Sequence, residues 1–343
     1  MLIVISVLVF IHELGHFSVA RWLGVTVHQF SIGFGPKLVS KHWKGTTWSI
    51  SAIPLGGYVQ MKGQEDLDPA KTSSDADSYS MLNPYQKIAI LLAGPLANFL
   101  LAFVLYFAVG LMEHNEISNK VGKVQNGMPA QIAGLKAGDE IVRINNKDII
   151  IWDDLKSIIS ESNGPLKVYV KREGVSRGFT INPKIATTKN IFGEDVQRKL
   201  IGIAPGAVKQ VQYGLGDSIT YAWDKTVWAS TVIFQSVQKL ITGVVPHTEI
   251  GGVISIGKVI SDASDTGIVS LFIIAALISV NLGVLNLLPI PALDGGHIMF
   301  NIYELITKKA PSPKTLLNLT IAGWVILLGL MTLGIYNDIN RLF

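Results

Sequence analysis

Residues 1–25 read MLIVISVLVFIHELGHFSVARWLGV, an apolar run with three ionisable side chains near its middle, His12, Glu13 and His16. A charged group at the centre of a membrane-spanning helix costs about 2.5 to 3.5 kcal/mol even on cautious scales, so something must compensate these three. A zinc ion would do so, because histidines at i and i+4 project from one face of a helix and can share one metal. The glutamate beside the first histidine can then take a proton from water that the metal activates. We therefore predict a zinc site with His12 and His16 as ligands and Glu13 as the catalytic base, rather than a chance match on a soluble helix.

The composition is that of an integral membrane protein. Of the 343 residues, 49% are hydrophobic and only 16% are charged, and the mean hydropathy is +0.40. The chain contains no cysteine, so any metal must be held by histidine and carboxylate groups. The net charge of +4 comes from basic residues scattered along the chain, which indicates the lipid bilayer and not nucleic acid as a partner.

Four segments have the length of about 20 residues that a hydrocarbon core of about 30 Å requires. They are roughly residues 1–23, 88–112, 267–293 and 315–335. A cleavable signal peptide is the alternative for the first segment, but that segment has neither a basic start nor a small-x-small cleavage site. The sequence therefore predicts a polytopic α-helical membrane protein with about four transmembrane helices.

The distribution of lysine and arginine indicates the orientation, because these residues are enriched in cytosolic loops. They lie between the first and second segments and between the third and fourth: Arg21, Lys37, Lys41, Lys44, Lys62, Lys71, Lys308, Lys309 and Lys314. Both termini and the polar stretch 113–266 are then expected outside the cytosol. A rise of about 1.5 Å per residue puts His12 about 16 Å into the membrane. The site is therefore expected within the membrane, toward the cytosol.

The third segment ends in N-L-L-P-I-P-A-L-D-G-G-H, residues 286–297, which offers a third metal ligand. Its prolines stop the helix and its glycines allow a close turn, so the Asp294 carboxylate can point into a protein cavity. The first and third segments run in the same direction, which brings Asp294 to the side of the membrane where the histidines lie. His297 competes for the role, since zinc sites with three histidines are common, and Asp294 could instead only cap a helix that begins at Gly295.

Residues 37–59 predict a β-hairpin close to the membrane. The stretch W-S-I-S-A-I alternates in polarity, and Lys44-Gly45 is the expected turn. An exposed edge of this hairpin could pair with an extended substrate backbone. The alternative is a hairpin that only packs against the helices.

Residues 119–186 change to the mixed, turn-rich composition of a soluble domain. The predicted order is strand, helical turn, tight turn, strand, amphipathic helix and hairpin, and A-G-L-x-x-G-D-x-I makes the region look like a PDZ domain. Residues 187–213 are expected to form a linker. The amphipathic, tryptophan-containing stretch 218–240 is expected either at the membrane interface or packed against the PDZ-like unit.

These expectations divide the chain into four parts. They are the first two transmembrane helices with a membrane-associated β-hairpin (1–112), an extracytoplasmic PDZ-like α+β domain with its linker (113–206), an amphipathic interfacial helix with a connecting loop (207–266), and the last two transmembrane helices (267–343). In the second segment, Gly94-Pro95 and Asn98 are expected to serve helix packing and kinking.

The HELGH motif on the first segment together with N-L-L-P-I-P-A-L-D-G on the third resembles the bacterial site-2 proteases of the RseP type, which are intramembrane zinc metalloproteases. The resemblance runs almost end to end and includes the Gly-Phe-Gly loop at residues 33–35 and the PDZ-like insert. It implies zinc ligands at His12, His16 and Asp294, a catalytic base at Glu13, and substrate-binding residues at Asn286, Gly33 and Gly35.

The resemblance also implies a function at the bacterial cell membrane. The expected activity is cleavage within the transmembrane segments of single-span membrane proteins, such as anti-sigma factors, or of signal-peptide remnants, with the PDZ-like domain excluding substrates that have bulky outer domains. A non-catalytic membrane scaffold and an ion or proton transporter are the alternatives. The chain departs from the family's pattern at Gly252-Val253, where a Gly-Pro pair is expected.

Overall fold

The structure is a computed structural model that describes residues 1–64 and 73–342, apart from the side chains of Pro54 and Leu55. Lys71, one of the loop lysines that indicate the orientation, lies outside the described residues. The chain forms two compact units. One comprises Met1–Gly110 and Leu215–Phe343, and the other comprises Leu111–Gly214.

The first unit begins with a helix, a long hairpin and a second helix. Their bounds are Leu2–Trp22 (α1), Val27–Trp43 (β1), Thr46–Met61 (β2) and Pro84–Leu111 (α2). The first apolar run thus forms a single uninterrupted helix, which places the histidines of HELGH one turn apart on one face.

The hairpin turns at Lys44-Gly45, where the sequence predicts its turn. Both residues have positive φ, 48° and 83°, as a type I′ turn requires. The strands bend so that the sheet has four segments, in the order 37–43, 46–53, 27–34 and 57–61. Gly33 and Gly35, with φ of 87° and 84°, permit the bend in β1. The hairpin is longer than expected and begins at Val27, where β1 pairs with Met61 at the end of β2.

Aromatic side chains hold this sheet against α1. Phe30 stacks on Trp48 with ring centres 4.6 Å apart, and the same ring meets Phe10 and Phe17 of α1 edge-on at 5.5 and 5.8 Å. Phe10, Glu13 and Phe17 follow the i, i+3, i+7 spacing of one helix face. The packing therefore turns the Glu13 face of α1 toward the sheet.

The second unit contains most of the strands. Its elements are His114–Ile117 (β3), Val121–Val124 (β4), Pro129–Ile132 (α3), Glu140–Ile144 (β5), Lys147–Asp148 (β6), Trp152–Glu161 (α4), Leu166–Arg172 (β7), Val175–Ile181 (β8), Lys184–Lys189 (β9), Asp195–Leu200 (β10), Ile203–Pro205 (β11) and Val208–Val211 (β12). A four-stranded antiparallel sheet has the order β6-β5-β7-β8. Its apolar face, with Ile141 and Val168, buries Leu155 of α4 in one core. The element order from β4 to β8 is the one the sequence predicts, except that the single strand expected before the amphipathic helix is divided by a turn into β5 and β6.

Residues 187–213, expected to form a linker, are largely β-structure. β9 pairs with β10, β11 pairs with β4, and β12 pairs with β3. β11 and β12 pair with strands that are distant in the sequence, so no local turn pattern predicts them. Because β12 pairs with β3, the compact unit extends to Gly214, beyond the expected boundary at residue 206.

The first unit resumes with five helices. They are Leu215–Ile241 (α5), Val253–Thr266 (α6), Ile268–Asn286 (α7), Asp294–Thr307 (α8) and Pro313–Leu342 (α9). Ala222 and Ala229 of α5 are buried in one apolar cluster with residues of α2 and α7, whereas Trp223 and Trp228 are exposed. The amphipathic stretch therefore packs its small residues inward and presents its tryptophans outward.

Residues 253–266, expected to belong to a connecting loop, form α6. The Asp338 carboxylate of α9 accepts hydrogen bonds from the backbone N–H groups of Gly252, Ile254 and Ser255 at 3.0, 2.9 and 3.1 Å. The first N–H groups of a helix have no partner within the helix, so a carboxylate at this end stabilises its start. The cap comes from a distant helix and is invisible in the local sequence.

Within the part of the chain that the structure describes, four helices are long and apolar enough to cross a membrane, namely α1, α2, α7 and α9. This agrees with the predicted membrane protein with about four transmembrane helices. α7 ends at Asn286, before the expected end at residue 293, because Pro289 cannot continue the helix and restricts the residue that precedes it. α9 runs on to Leu342, past the expected end at residue 335.

A buried ion pair stabilises the second unit. The Asp139 carboxylate, 1% exposed, accepts hydrogen bonds from Arg172 Nε at 2.6 Å, from Arg172 Nη2 at 2.7 Å and from Lys136 N at 2.9 Å. Burial raises the pKa of this carboxyl, but the hydrogen bonds and the Arg172 charge outweigh burial, so the pKa lies below its ordinary value. The pair's contribution to stability is therefore present above the ordinary carboxyl pKa and is lost as the pH falls through the lowered value.

We predict that Arg172→Leu destabilises the second unit near neutral pH, because it leaves the Asp139 carboxylate, which is 1% exposed, without its cation. Hydrogen exchange of the β5 and β7 amides in the full-length protein measures the loss. Lys156→Leu is the control, since Lys156 and Asp153 form an exposed pair at 2.9 Å whose loss costs less than about 1 kcal/mol. Equal exchange rates in the two variants would contradict the prediction.

Candidate metal centre

Two imidazoles of α1 face the same point. The Nε2 atoms of His12 and His16 lie 3.2 Å apart. The other ring nitrogen of His16, Nδ1, donates to the backbone carbonyl of Ile90 at 2.8 Å. Because a carbonyl only accepts, this ring carries its proton on Nδ1 and leaves the Nε2 lone pair for a metal.

Asp294 reaches the histidines from the other end of the chain. Its Oδ2 atom lies 3.3 Å from His12 Nε2 and 3.5 Å from His16 Nε2. After α7 the backbone turns tightly, and α8 begins at Asp294 itself. The next two residues must be glycines, because a Cβ atom at Gly295 or Gly296 would lie 2.3 Å from a backbone oxygen of the turn. The acidic residue at the start of α8 also suits the helix dipole, so a helix-terminal role and a ligand role coexist.

The three ligand atoms fit a zinc ion. Their separations are 3.2, 3.3 and 3.5 Å. Bonds of about 2.0 to 2.2 Å in a tetrahedral arrangement separate neighbouring ligand atoms by about 3.3 to 3.6 Å. Within the described residues, Asp294 Oδ2 is buried and receives no hydrogen bond. A buried carboxylate oxygen without a donor is costly, and a cation at this position would satisfy it.

His297 does not join this group. Among the described residues, the side chains that could hold one ion together are His12, His16 and Asp294. The His297 ring instead meets Phe300 edge-on at 5.8 Å. The structure thus favours the carboxylate over the third histidine.

α2 approaches the histidines through small residues. A Cβ atom at Gly94 would lie 2.2 Å from His16 Nε2, and one at Gly15 would lie 2.3 Å from the Ala93 carbonyl oxygen. Small residues of this kind let membrane helices pack closely. Gly94 therefore serves packing, as the sequence predicts, but it packs directly on the candidate ligand His16.

Asn98 lies one turn beyond Gly94 and is also close to the ligands. Its amide Nδ2 is 3.1 Å from His12 Nδ1. The sequence assigns Asn98 to helix packing and misses this contact. Two signals could have revealed it, the cost of an amide inside a membrane span and its i+4 spacing from a glycine.

The side chain of Glu13 projects from α1 toward the sheet. A Cβ atom at Gly57 would be 3.1 Å from Glu13 Cγ and 2.9 Å from Val9 Cγ1. Gly57 pairs with Ile32 and belongs to the edge segment 57–61. The candidate base therefore stands beside a strand edge that carries no side chain at the point of contact.

The remaining predicted site residues are placed differently. Asn286 lies at the site, with its Nδ2 atom 3.4 Å from His12 Nε2. Gly33 and Gly35 lie in the bend of β1, where the nearest atoms to an added Cβ belong to Ile53. The structure thus brings Asn286 to the ligands and keeps the two glycines in the sheet.

Comparison with known proteins identifies the family of this chain. The model of Peptidase family M50 matches residues 1–330. The chain is 43% identical over 341 residues to Cj1068 of Campylobacter jejuni, named as a zinc metalloprotease, with 99% of this chain and 92% of that protein covered. It is 36% identical over 349 residues to a Helicobacter pylori protein also named as a zinc metalloprotease, with 99% and 98% covered. Metalloprotease MmpA of Caulobacter vibrioides is 33% identical over 382 residues, with 99% and 94% covered.

The family match, the names of these relatives and the four apolar helices lead to one conclusion. The chain belongs to Peptidase family M50, as a zinc-dependent metalloendopeptidase of the membrane.

Proposed function

We propose that this protein is an intramembrane protease of the RseP-type site-2 class that hydrolyses peptide bonds within transmembrane segments. His12, His16 and Asp294 hold the zinc ion, and Glu13 is the general base. The observation that supports this most directly is the convergence of three ligand atoms from α1 and α8, within 3.5 Å of one another, beside helices of membrane-spanning length. A transporter or a non-catalytic scaffold would not need that convergence.

The chemistry divides between the metal and the side chains. Zinc, when bound, activates water and polarises the scissile carbonyl. Glu13 accepts the proton of the attacking water and passes it to the leaving nitrogen. The Asn286 amide, close to His12, donates to the substrate backbone and holds it in register. The Ile90 carbonyl fixes the orientation of the His16 ring through its hydrogen bond at 2.8 Å.

The edge segment 57–61 guides the substrate. A helix is a poor protease substrate because its carbonyls are already hydrogen-bonded, so the target must be extended at the site. The edge position of this segment and the contact of Gly57 with Glu13 support pairing of the substrate backbone beside the base. Gly33 and Gly35 shape this surface by permitting the bend that places β1 next to the edge segment.

The substrates are single-span membrane proteins, such as anti-sigma factors, or signal-peptide remnants. The PDZ-like unit, residues 111–214, lies outside the cytosol and excludes substrates with bulky outer domains. The lysines and arginines of the other loops support this orientation, since basic loops stay in the cytosol.

Glu13→Gln should retain one zinc ion per chain and lose about 10²- to 10⁴-fold in cleavage rate, because it removes only the general base. Ala at His12, His16 or Asp294 should lose zinc and cleavage together. Metal analysis and a cleavage assay on a panel of single-span substrates measure both properties. His297→Ala is the matched control and should keep zinc and activity. Full activity of Glu13→Gln would falsify the mechanism.

Proline in the edge segment should impair cleavage without loss of zinc. Successive backbone N–H groups of a strand point to opposite sides, so Tyr58→Pro and Val59→Pro together remove one N–H that faces β1 and one that faces outward. The variant that removes the outward N–H should lower kcat/KM about two- to tenfold. This is the effect expected for one lost hydrogen bond of about 0.5 to 1.5 kcal/mol. Val39→Pro and Lys41→Pro, on the opposite edge, are the controls. If all four variants cleave equally well, the edge does not bind substrate.

A further inference from the structure

Asn98 is a polar residue in the middle of α2 that no catalytic step above uses. It is fully buried, and its amide lies 3.1 Å from Nδ1 of His12. The opposite nitrogen of the same ring, Nε2, faces His16 Nε2 and Asp294 Oδ2 at 3.2 and 3.3 Å. The His12 ring is therefore held between the ligand cluster on one side and Asn98 on the other.

Metal binding through Nε2 determines the protonation of Nδ1 and the hydrogen-bond partner that Nδ1 requires. The lone pair of Nε2 is free for the metal only when the proton is on Nδ1, and a buried Nδ1–H requires an acceptor. An asparagine amide presents its oxygen or its nitrogen depending on a half-turn about its terminal bond. Within the described residues, Asn98 Oδ1 is buried and accepts no hydrogen bond, so its capacity as an acceptor is available.

We propose that Asn98 is a positioning residue, whose Oδ1 accepts the Nδ1–H of His12 and thereby orients this ring and fixes its proton for zinc binding. The proposal rests on the proposed role of His12 as a zinc ligand. It gives the two histidines separate supports, a backbone carbonyl for His16 and a side-chain amide for His12.

A packing role for Asn98 is the competing explanation. Asn98 also contacts α7, where Ser279 Oγ donates to its backbone carbonyl at 2.8 Å. That bond uses the main chain and leaves the amide to His12. A substitution of the Asn98 side chain removes the contact with His12 but keeps the backbone hydrogen bond to Ser279. Such a substitution therefore distinguishes the two explanations.

The test compares Asn98→Leu and Asn98→Asp in the full-length protein, with zinc affinity measured by competition with a chelator. Leucine has a similar volume and no acceptor, so this variant should bind zinc about 10- to 100-fold more weakly. Aspartate supplies an acceptor oxygen at the same place, so this variant should bind at least as tightly as the wild type. A packing role gives the reverse order, because a buried carboxylate disturbs packing more than an apolar side chain does.

Ser279→Ala is the matched control, since it removes the neighbouring hydrogen bond to Asn98 without touching His12. It should leave zinc affinity within about twofold of the wild type, well below the change expected for a lost support of the ligand. Substitution of Co²⁺ adds a spectroscopic readout, because the visible absorption of the ion reports its coordination geometry and should change in Asn98→Leu but not in Ser279→Ala. If the leucine variant does not fold, Asn98→Ala replaces it, with the same expected loss.

The outcomes distinguish this inference from the proposed function. Absence of zinc from the wild type, or full zinc retention by His12→Ala, would overturn the ligand assignment on which the inference depends. Loss of zinc from His12→Ala with unchanged affinity in Asn98→Leu would overturn the inference alone.

Discussion

Three ligand atoms that meet beside apolar helices impose the main constraint on this fold. His12 and His16 are fixed to each other by one helical turn, but Asp294 arrives from the opposite end of the chain. A carboxylate oxygen buried without a donor is costly, and a cation among the three groups would satisfy it. The helices around the site pack in a way that permits this gathering.

Close backbone approach is what brings the elements together. Gly15 lets α1 approach α2, Gly94 makes room for the His16 ring, and Gly295 fits against the turn before α8. Each position would clash if it carried even a Cβ atom. In lipid there is no hydrophobic driving force between helices, so the close van der Waals packing that small residues permit stabilises their association.

The sheet places Glu13, the proposed base, next to a backbone edge. Phe30 and Trp48 hold the sheet to α1, and this packing sets Gly57 beside Glu13. A base that stands between a metal and a strand edge can serve an extended peptide, which a helical substrate becomes only after it unwinds. In the proposed function, the packing of the sheet on α1 therefore brings the base and the strand edge that extends the substrate to the same place.

Local patterns predicted the parts of the structure that local geometry controls. The spacing of HELGH needs only one helix, the Lys44-Gly45 turn needs only two residues, and Pro289 ends α7 wherever the helix lies. The failures concern partners that are distant in sequence. β11 pairs with β4 about 80 residues earlier, and β12 pairs with β3 more than 90 residues earlier. α6 begins where Asp338 of another helix caps it.

The site shows the same division. The residues alone left Asp294 and His297 as competing third ligands, and it was the family resemblance that implied Asp294. Both residues lie in the first turn of α8, and it is Asp294 that lies with the two histidines. Asn98 was assigned to packing, because its contact with His12 spans 86 positions and leaves no local pattern.

X-ray absorption at the zinc edge, on the full-length wild-type protein in lipid, tests the central claim most directly. We expect one zinc ion with two imidazole ligands and a carboxylate oxygen at about 2.0 to 2.2 Å. A spectrum that requires three imidazoles, or none, would contradict it.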